Sequence, residues 1–169
     1  MRLPIALGAL LLLAAPAAAA PAAPVFTVTR LDGSGPFDSR AHIGKHILVV
    51  RFQASWCKVC TEEAAGIERI YQKYKASGVE LIGVHVQDTE ADARQFLQAS
   101  KATYPAGLDP RLKIAGRFGF RGTPYTVVIN KRGEMVARIH GRTDEVRLAR
   151  ILDPLVKRPP ASKAPARLK

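Results

Sequence analysis

The 169-residue chain contains only two cysteines, Cys57 and Cys60, and they lie where a run of apolar residues gives way to a helical pattern. The apolar run is typical of a buried strand, and the stripe after the cysteines is typical of an amphipathic helix. This order places Cys57 at a helix N-terminus, where unpaired backbone N–H groups and the helix dipole favour a thiolate. Cys60 follows one turn later and can attack a mixed disulfide formed at Cys57. The spacing therefore predicts a redox pair with Cys57 as nucleophile and Cys60 as resolving thiol.

A purely structural disulfide is the main alternative for this pair. Two cysteines in an oxidising compartment often form a structural link. A bond between Cys57 and Cys60 closes a ring of only four residues, however, and therefore constrains the unfolded chain very little. The close spacing favours a redox role over a structural one.

The two ends of the chain differ in composition from the middle. Residues 1–23 contain a short basic start, an apolar run and then small residues, which together predict a signal peptide cleaved between Ala19 and Pro24. A retained membrane anchor is the alternative, because the apolar run is nearly long enough to span a bilayer. The basic residues 157–169 lack periodicity and are predicted to be a disordered tail. Residues 24–156 are left as one domain, which we predict to be exported to the periplasm or cell envelope.

The charge of the chain is strongly positive. It has 26 Lys and Arg residues against 14 Asp and Glu residues, which gives a formal net charge of +12 at pH 7. Part of the excess lies in the C-terminal tail. Because the chain has the features of an exported protein, we interpret this charge as an aid to solubility and a source of attraction to anionic lipid. We expect no nucleic-acid partner.

Hydrophobic periodicity predicts the order of the elements along residues 24–156. We expect an N-terminal strand and hairpin, a buried strand, the cysteine-bearing helix, a second buried strand and a helix capped by Thr89. A short helix should follow, with Asp109 as its N-cap and Pro110 as its first residue. After a further β-hairpin, Thr143 should cap the last helix. The residues expected to face the core from that helix are Val146, Ala149, Leu152 and Val156.

This order combines a crossover between parallel strands with an antiparallel hairpin. The two buried strands are expected at His46–Phe52 and Val79–Val86, and the hairpin at Tyr125–His140. The pattern predicts an α/β fold with one central mixed β-sheet and helices on both faces.

Three segments of the chain resemble the thioredoxin superfamily and, more narrowly, the exported TlpA/ResA-like thiol-disulfide oxidoreductases. They are Phe52–Cys60 (FQASWCKVC), Phe118–Pro124 (FGFRGTP) and Val127–Gly133 (VVINKRG). The resemblance spans about residues 25–156 and implies a thioredoxin-like fold with an N-terminal β-hairpin extension. It also implies an extra strand–helix insertion between Val84 and Pro110.

The resemblance implies an activity as well. A protein of this kind exchanges disulfides through its own cysteine pair, without a dissociable cofactor. It would reduce disulfides in exported proteins, for instance cytochrome c apoproteins awaiting haem. Its electrons would come from a donor in the membrane, and it would act as a monomer. A thiol oxidase or isomerase would use the same pair in another direction, which is an alternative.

Further site residues follow from the resemblance. Thr123–Pro124 matches the cis-proline of the superfamily, which lies opposite the cysteine pair and would form the substrate surface together with Trp56. The backbone of Thr123 could then pair with an extended substrate segment, because a cis bond turns these groups outward. Glu63 lies three residues after Cys60 on the same helix face and matches an acidic residue of the family. It could accept a proton from that thiol.

Two positions depart from the family pattern and are expected to modulate the electrostatics of the pair. Arg51 occupies the strand position where relatives carry an aspartate or asparagine, and a buried guanidinium needs a partner, for which Glu63 is the candidate. That pairing would hold the acid ionised and lower its value as a base. Lys58 adds positive charge next to Cys57, which favours the thiolate and makes the disulfide more oxidising.

Two other classes of function stay open at this point. The two thiolates could bind copper or zinc together with His85 or His140, as in a metal chaperone. No ligand spacing in the sequence supports a metal site, however. The protein could also be an adaptor without redox activity.

Overall fold

The computed structural model describes residues 20–157, which form seven β-strands, three α-helices and three short 3₁₀ helices. The strands are β1 Thr27–Thr29, β2 Pro36–Asp38, β3 Ile47–Gln53, β4 Val79–Val86, β5 Ala106–Asp109, β6 Tyr125–Ile129 and β7 Met135–His140. The α-helices are α1 Lys58–Tyr74, α2 Glu90–Ala99 and α3 Glu145–Lys157. The 3₁₀ helices are Ser39–Ala41, Lys75–Ser77 and Ala115–Phe118.

Strands β3 to β7 form one five-stranded sheet in the order β5-β4-β3-β6-β7, and β1 pairs with β2 in a separate hairpin. Strands β3, β4 and β5 run parallel, whereas β6 is antiparallel to both β3 and β7. The predicted mixed sheet and N-terminal hairpin are confirmed. Because β6 runs against β3, its first residue, Tyr125, pairs with Phe52 near the end of β3. The ends of β3 and β4 and the beginning of β6 therefore meet at one edge of the sheet, which we call the cysteine edge.

All seven residues of β3 are buried, as expected for a central strand. Its side chains alternate between two cores. Val50 and Phe52 pack against the N-terminal hairpin and the 3₁₀ helix Ala115–Phe118, whereas Val49 packs against α1 and α3. The two faces of the sheet are therefore covered unequally, with α-helices on one and the hairpin plus a short 3₁₀ helix on the other.

Helix α1 begins directly after Cys57 and presents its apolar stripe to the sheet. Ile67, Ile70 and Tyr74 are buried on that face. The 3₁₀ turn that follows ends at Gly78, whose φ of 80° is left-handed, a conformation that glycine adopts without steric cost. The predicted start and amphipathic stripe of the cysteine-bearing helix are confirmed.

The prediction of a short helix starting at Pro110 is wrong. Residues Ala106–Asp109 form β5 instead, an edge strand that pairs with β4. The next helix is a 3₁₀ helix that begins only at Ala115. Asp109 still organises this segment, because its carboxylate accepts from the backbone N–H groups of residues 113–115 at 2.8, 2.9 and 2.8 Å. The carboxylate thus fixes a loop rather than capping a helix at the next residue.

The last helix also differs from the prediction in its first turn. Asp144, and not Thr143, caps α3, since its carboxylate accepts from the backbone N–H of Arg147 at 2.7 Å. Val146 is 58% exposed and does not face the core. The residues that pack inward are Leu148 and Leu152, which are fully buried, and Ala149 and Val156, which are partly buried.

Residues just before the predicted domain boundary are part of the fold. Ala22 forms an isolated antiparallel bridge with Glu134, and the N–H of Ala23 donates to the carbonyl of Gly133 at 2.8 Å. Residues 21–23, which the sequence assigned to the N-terminal segment, therefore pair with the hairpin that leads into β7.

Helix α3 extends to Lys157, one residue into the segment 157–169 that was expected to be a tail. The rest of both ends, residues 1–19 and 158–169, lies outside the described residues. The signal-peptide, membrane-anchor and disordered-tail assignments stay predictions for those residues. Within residues 20–157, no helix is both long enough and apolar enough to cross a membrane.

Candidate active site

Cys57 and Cys60 form a disulfide at the N-terminus of α1, with their Cα atoms 5.2 Å apart. Cys57 is the N-cap residue and has an extended backbone, and its sulfur accepts from the N–H of Cys60 at 3.1 Å. A helix N–H group that already points at this sulfur stabilises it when it becomes ionised. Cys57 is 7% exposed and Cys60 is 0% exposed. Cys57 is therefore the more accessible of the two and the one placed to meet a partner.

The disulfide lies in an apolar cluster. The side chains that pack around it include Ala54, Ala64 and Phe96. A neutral disulfide suits such surroundings, whereas an ionised sulfur loses hydration there. The cluster therefore favours the disulfide over the dithiol with its thiolate, in opposition to the effect of the helix N-terminus.

The loop before the pair is held by two residues that directly follow β4, Gln87 and Asp88. Ser55 donates through its N–H and its hydroxyl to the two carboxylate oxygens of Asp88, at 2.7 and 2.6 Å. Trp56 is 59% exposed, and its indole Nε1 donates to the backbone carbonyl of Gln87 at 3.1 Å. Gln87 has a left-handed backbone with φ of 49°, which is uncommon for a residue with a side chain. These bonds hold a large apolar ring in solvent beside Cys57, where a partner protein can contact it.

The Thr123–Pro124 peptide bond is cis and lies at the cysteine edge. Pro124 directly precedes Tyr125, whose partner in β3 is Phe52, so the bond is next to the strand end that leads to the cysteines. Pro124 is buried and its carbonyl accepts from the N–H of Gly141 at 2.8 Å. Thr123 is only partly buried. Its placement fits a role in the surface that a partner segment would contact.

Arg51 points inward and pairs with Glu63, the partner inferred from the sequence. Its Nη2 lies 2.7 Å from Glu63 Oε2, and the two side chains are 0% and 7% exposed. Its Nη1 donates to the hydroxyl of Thr126 at 3.1 Å. The second oxygen of Glu63 accepts from the backbone N–H of Thr143 at 2.6 Å. Both carboxylate oxygens already have donors, which weakens the case for Glu63 as a proton acceptor for Cys60.

The remaining charges near the pair are positive or already matched. Lys58 is the first residue of α1 and is exposed, so its charge lies one residue from Cys57. Glu62 forms a surface ion pair with Arg142, and that hydrogen bond lowers the pKa of the Glu62 carboxyl. The positive charge of Lys58 also lowers the pKa of Glu62, so this acid lies close to Lys58 although its hydrogen bond goes to Arg142.

The sequence did not indicate a hydrogen-bonded network of four buried polar side chains, which lies behind the loop that precedes Cys57. His85 Nδ1 lies 2.9 Å from Asp88 Oδ2, and its Nε2 lies 2.9 Å from Gln53 Nε2. The hydroxyl of Tyr104 donates to Gln53 Oε1 at 3.5 Å. Because an amide nitrogen only donates, we assign the His85 proton to Nδ1, which donates to Asp88. Gly83 leaves room for this network of side chains, since a Cβ at that position would lie 2.9 Å from Gln53 Nε2.

Burial and hydrogen bonding fix the charges of His85 and Asp88 in this network. Burial lowers the pKa of His85, and the hydrogen bond and charge of Asp88 offset this only in part. Burial alone would raise the pKa of Asp88, but its hydrogen bonds with Ser55 and His85 outweigh burial and leave it below the usual value. Near neutral pH, His85 is therefore neutral and Asp88 is ionised. The ionised carboxylate is the form that accepts both hydrogen bonds from Ser55.

The sequence carries only a weak signal for this network of side chains. Gln53 and His85 meet because β3 and β4 pair in a parallel register that sets these two residues side by side. Hydrophobic periodicity locates the two strands but not their register. Both ring nitrogens of His85 have partners within this network of side chains.

A cavity of about 480 Å³ lies beside Trp56, between α1 and α2. Thr61 and Ala65 of α1 form one wall, and Gln95 and Phe96 of α2 form the other. The volume is enough for a side chain or two of a partner segment. Trp56 forms the rim of this cavity on the side of the disulfide.

No group of three or more His, Cys, Asp and Glu side chains in the described part of the chain is placed to hold a metal ion. The two histidines considered as partners for the cysteines have other contacts. His85 is engaged through both ring nitrogens, and His140 stacks on Tyr125 with ring centroids 4.2 Å apart. The donor set gives a metal chaperone no support.

Comparison with known proteins identifies related chains and folds. The AhpC/TSA family model matches residues 19–138. The chain is 31% identical over 126 residues to the thiol-disulfide oxidoreductase ResA of Bacillus cereus, an alignment that covers 75% of this chain and 72% of that protein. It is 33% identical over 136 residues to the thiol:disulfide interchange protein HelX of Rhodobacter capsulatus, with coverage of 79% and 74%.

A solved structure supports the fold independently. The crystal structure of a thiol:disulfide interchange protein of the thioredoxin family from Chlorobium tepidum TLS matches with a TM-score of 0.75 at 22% identity. The match covers 83% of this chain and 99% of that one. The thioredoxin-like fold inferred from the sequence motifs is confirmed.

Proposed function

The chain belongs to the AhpC/TSA family and is a thiol-disulfide oxidoreductase with a thioredoxin-like fold, and from this premise we propose that it works as a disulfide reductase for exported proteins. The oxidoreductase chemistry follows from the Cys57–Cys60 disulfide and the named relatives. The direction of electron flow, the compartment and the partners are the proposed parts.

In the proposed reaction, the thiolate of Cys57 attacks one sulfur of a partner disulfide. A bond forms between the two sulfurs, the partner disulfide breaks, and the released partner sulfur takes up a proton. Cys60 then loses its proton and attacks the sulfur of Cys57. The mixed disulfide breaks, the second partner sulfur leaves as a thiol, and the Cys57–Cys60 disulfide forms. Two electrons pass to the partner, and a dithiol donor must restore the reduced pair.

The observation that carries the direction is the apolar environment of the sulfur pair. Cys57, the sulfur that ionises in the reduced pair, is only 7% exposed and lies in the cluster with Ala64 and Phe96, where a neutral disulfide is accommodated better than an ionised sulfur. Stabilising the disulfide makes the reduced pair the better electron donor. Lys58 and the helix N-terminus act in the other direction at Cys57, and the proposal is that burial outweighs them.

The surrounding residues have separate roles in this proposal. Trp56 and Thr123–Pro124 form the surface that receives a partner, on the two sides of the Cys57 sulfur. Glu63 is a positioning residue that neutralises Arg51 and holds the N–H of Thr143, rather than an acid that exchanges protons. No metal and no dissociable cofactor is required.

The compartment and the partners rest on the sequence and on the kind of relatives found. The composition of residues 1–23 supports export to the periplasm or cell envelope, with a membrane electron donor nearby. Partners would be disulfide-containing exported proteins, among them cytochrome c apoproteins, and the protein would act as a monomer.

A trapping experiment with insulin as the disulfide substrate tests the assigned order of attack. The reduced Cys60→Ser variant should form a covalent complex with insulin that survives a non-reducing gel and disappears with dithiothreitol. Reduced Cys57→Ser is the matched control and should trap less than about a tenth as much. Equal trapping by the two variants, or trapping only by Cys57→Ser, would show that Cys57 is not the attacking sulfur.

A further inference from the structure

One charged surface beside the active site has no part in the proposed mechanism. Arg111, Lys113, Arg117 and Arg121 lie in the segment between β5 and β6, and all four are exposed. None of them belongs to an ion pair formed within residues 20–157. We call these four residues the basic strip.

Nearby acids do not neutralise the basic strip. Residues 110–133 contain no Asp or Glu. The acid just before them, Asp109, is 3% exposed, and its oxygens are occupied by three backbone N–H groups. At the neighbouring cysteine edge, Glu62 is paired with Arg142. The strip therefore presents four positive charges to solvent without local compensation.

The strip is attached rigidly to the active site. The rings of Phe118 and Phe120 pack on Phe52 with centroids 5.5 and 6.0 Å apart. The hydroxyl of Tyr125 donates to the carbonyl of Phe118 at 2.8 Å, which ties the segment to the first residue of β6. Because Phe52 and Tyr125 are paired at the cysteine edge, the strip reaches that edge, and Arg121 is two residues from Thr123.

We propose that the basic strip recognises acidic residues beside the disulfide of the partner protein. This inference rests on the proposed function, because it names the class of protein that the disulfide reductase prefers. A partner segment that contacts Thr123 while its disulfide meets Cys57 would continue past Arg121 and towards Arg117. Asp or Glu residues there would raise the rate of encounter and fix the orientation of the segment.

A membrane surface is the other anionic partner for such a strip. The observations favour a protein segment, since the strip leads to the cis bond and to the Cys57 sulfur, which are the groups a disulfide substrate must reach. A lipid surface would have no need of this connection. The test includes vesicles so that the two can be told apart.

The test uses three synthetic peptides that share one intramolecular disulfide and differ only in acidic, neutral or basic flanking residues. The reduced protein is mixed with each peptide, and the second-order rate constant is divided by that for dithiothreitol, which corrects for intrinsic reactivity. We expect the acidic peptide to react about 10-fold faster than the neutral one at low salt. At about 0.5 M salt, where the Debye length falls below about 5 Å, the ratio should drop to about 2.

Charge reversal provides the decisive variant. Arg117→Glu/Arg121→Glu should reverse the order, so that the basic peptide becomes the fastest. Lys45→Glu/Lys131→Glu makes the same change in net charge at the opposite edge of the sheet, where the N–H of Gly44 donates to the carbonyl of Lys131 at 2.7 Å. This control should keep the order found for the unmodified protein.

The outcomes separate this inference from the proposed function. If the neutral peptide is reduced but all three normalised rates are equal, the inference is overturned and the disulfide reductase stands. If no peptide is reduced, both are overturned. The inference is also overturned if the Arg117→Glu/Arg121→Glu protein keeps the original peptide order while losing binding to phosphatidylcholine vesicles with about 30% phosphatidylserine.

Discussion

Removing the charge of Glu63 should destabilise the protein strongly, because it leaves the guanidinium of Arg51 buried without a counter-ion. The two groups are 2.7 Å apart and their side chains are 0% and 7% exposed. Breaking a buried pair from one side costs about 3–5 kcal/mol. For a domain of this size, that corresponds to a fall of roughly 10–20 °C in the unfolding midpoint. We therefore expect a loss of this magnitude in the Glu63→Gln variant.

The matched control is the neighbouring acid on the same helix. Glu62 pairs with Arg142 on the surface, where both side chains are well exposed, and exposed pairs contribute little. Glu62→Gln should leave the unfolding midpoint close to that of the unmodified protein. The replacement of both buried partners, Arg51→Met/Glu63→Leu, should recover most of the loss, since an apolar pair needs no counter-ion.

Thermal unfolding of the oxidised proteins provides the assay, with the Cys57–Cys60 disulfide checked on a non-reducing gel. The coupling between Arg51 and Glu63 follows from the single variants Arg51→Met and Glu63→Leu and from the double variant Arg51→Met/Glu63→Leu. Equal midpoints for Glu62→Gln and Glu63→Gln would show that the buried Arg51–Glu63 pair contributes no more to stability than the surface pair. Additive losses in Arg51→Met/Glu63→Leu would contradict the expected coupling.

Three further results are expected. Burial lowers the pKa of His85, so the unfolded state binds the proton more readily below about pH 6.5, and the stability of the protein should fall from about pH 7.5 to 5.5. In urea unfolding, His85→Gln should remove part of this fall, and the rest should come from His42, whose pKa burial also lowers. A urea midpoint that rises towards pH 5.5 would contradict this. Lys58→Glu should make the reduction potential of the Cys57–Cys60 pair more negative by roughly 10–30 mV, because the thiolate of Cys57 loses a neighbouring positive charge. A shift to a more positive potential in a redox-buffer titration would rule out this effect of Lys58. Trp56→Ala should raise KM for insulin about 10-fold and leave the rate with the small substrate hydroxyethyl disulfide nearly unchanged. Equal effects in the two assays would argue against a docking role for Trp56.

Much of the framework could be predicted because local patterns determine it. The continuous apolar run of β3, the stripe of α1 and the glycine at position 78 each report a single element. The cysteine spacing locates the active site at the junction of two such elements. The pairing of Arg51 with Glu63 could also be inferred, since a charge on a buried strand requires a partner and few candidates lie on the facing helix.

The features that the sequence did not disclose depend on how separate elements meet. Strand β5 is only four residues long and is defined by its pairing with β4 rather than by its own pattern. The contact between Gln53 and His85 requires the register of two parallel strands. At α3, Thr143 and Asp144 are both good N-cap residues, and only the folded structure shows that the N–H of Thr143 donates to Glu63 while the carboxylate of Asp144 caps the helix. The exposure of Val146 follows from that shift of one residue.

The measurement that tests the proposed direction of electron flow most directly is the reduction potential of the Cys57–Cys60 pair. Trp56 is the only tryptophan in the chain and is adjacent to Cys57, so its fluorescence should follow the redox state in buffers of defined glutathione or dithiothreitol ratio. A reductase in which the apolar environment stabilises the disulfide should have a potential near that of thioredoxin, about −270 mV. A value near that of the strong oxidant DsbA, about −120 mV, would contradict the account and assign the protein to disulfide formation.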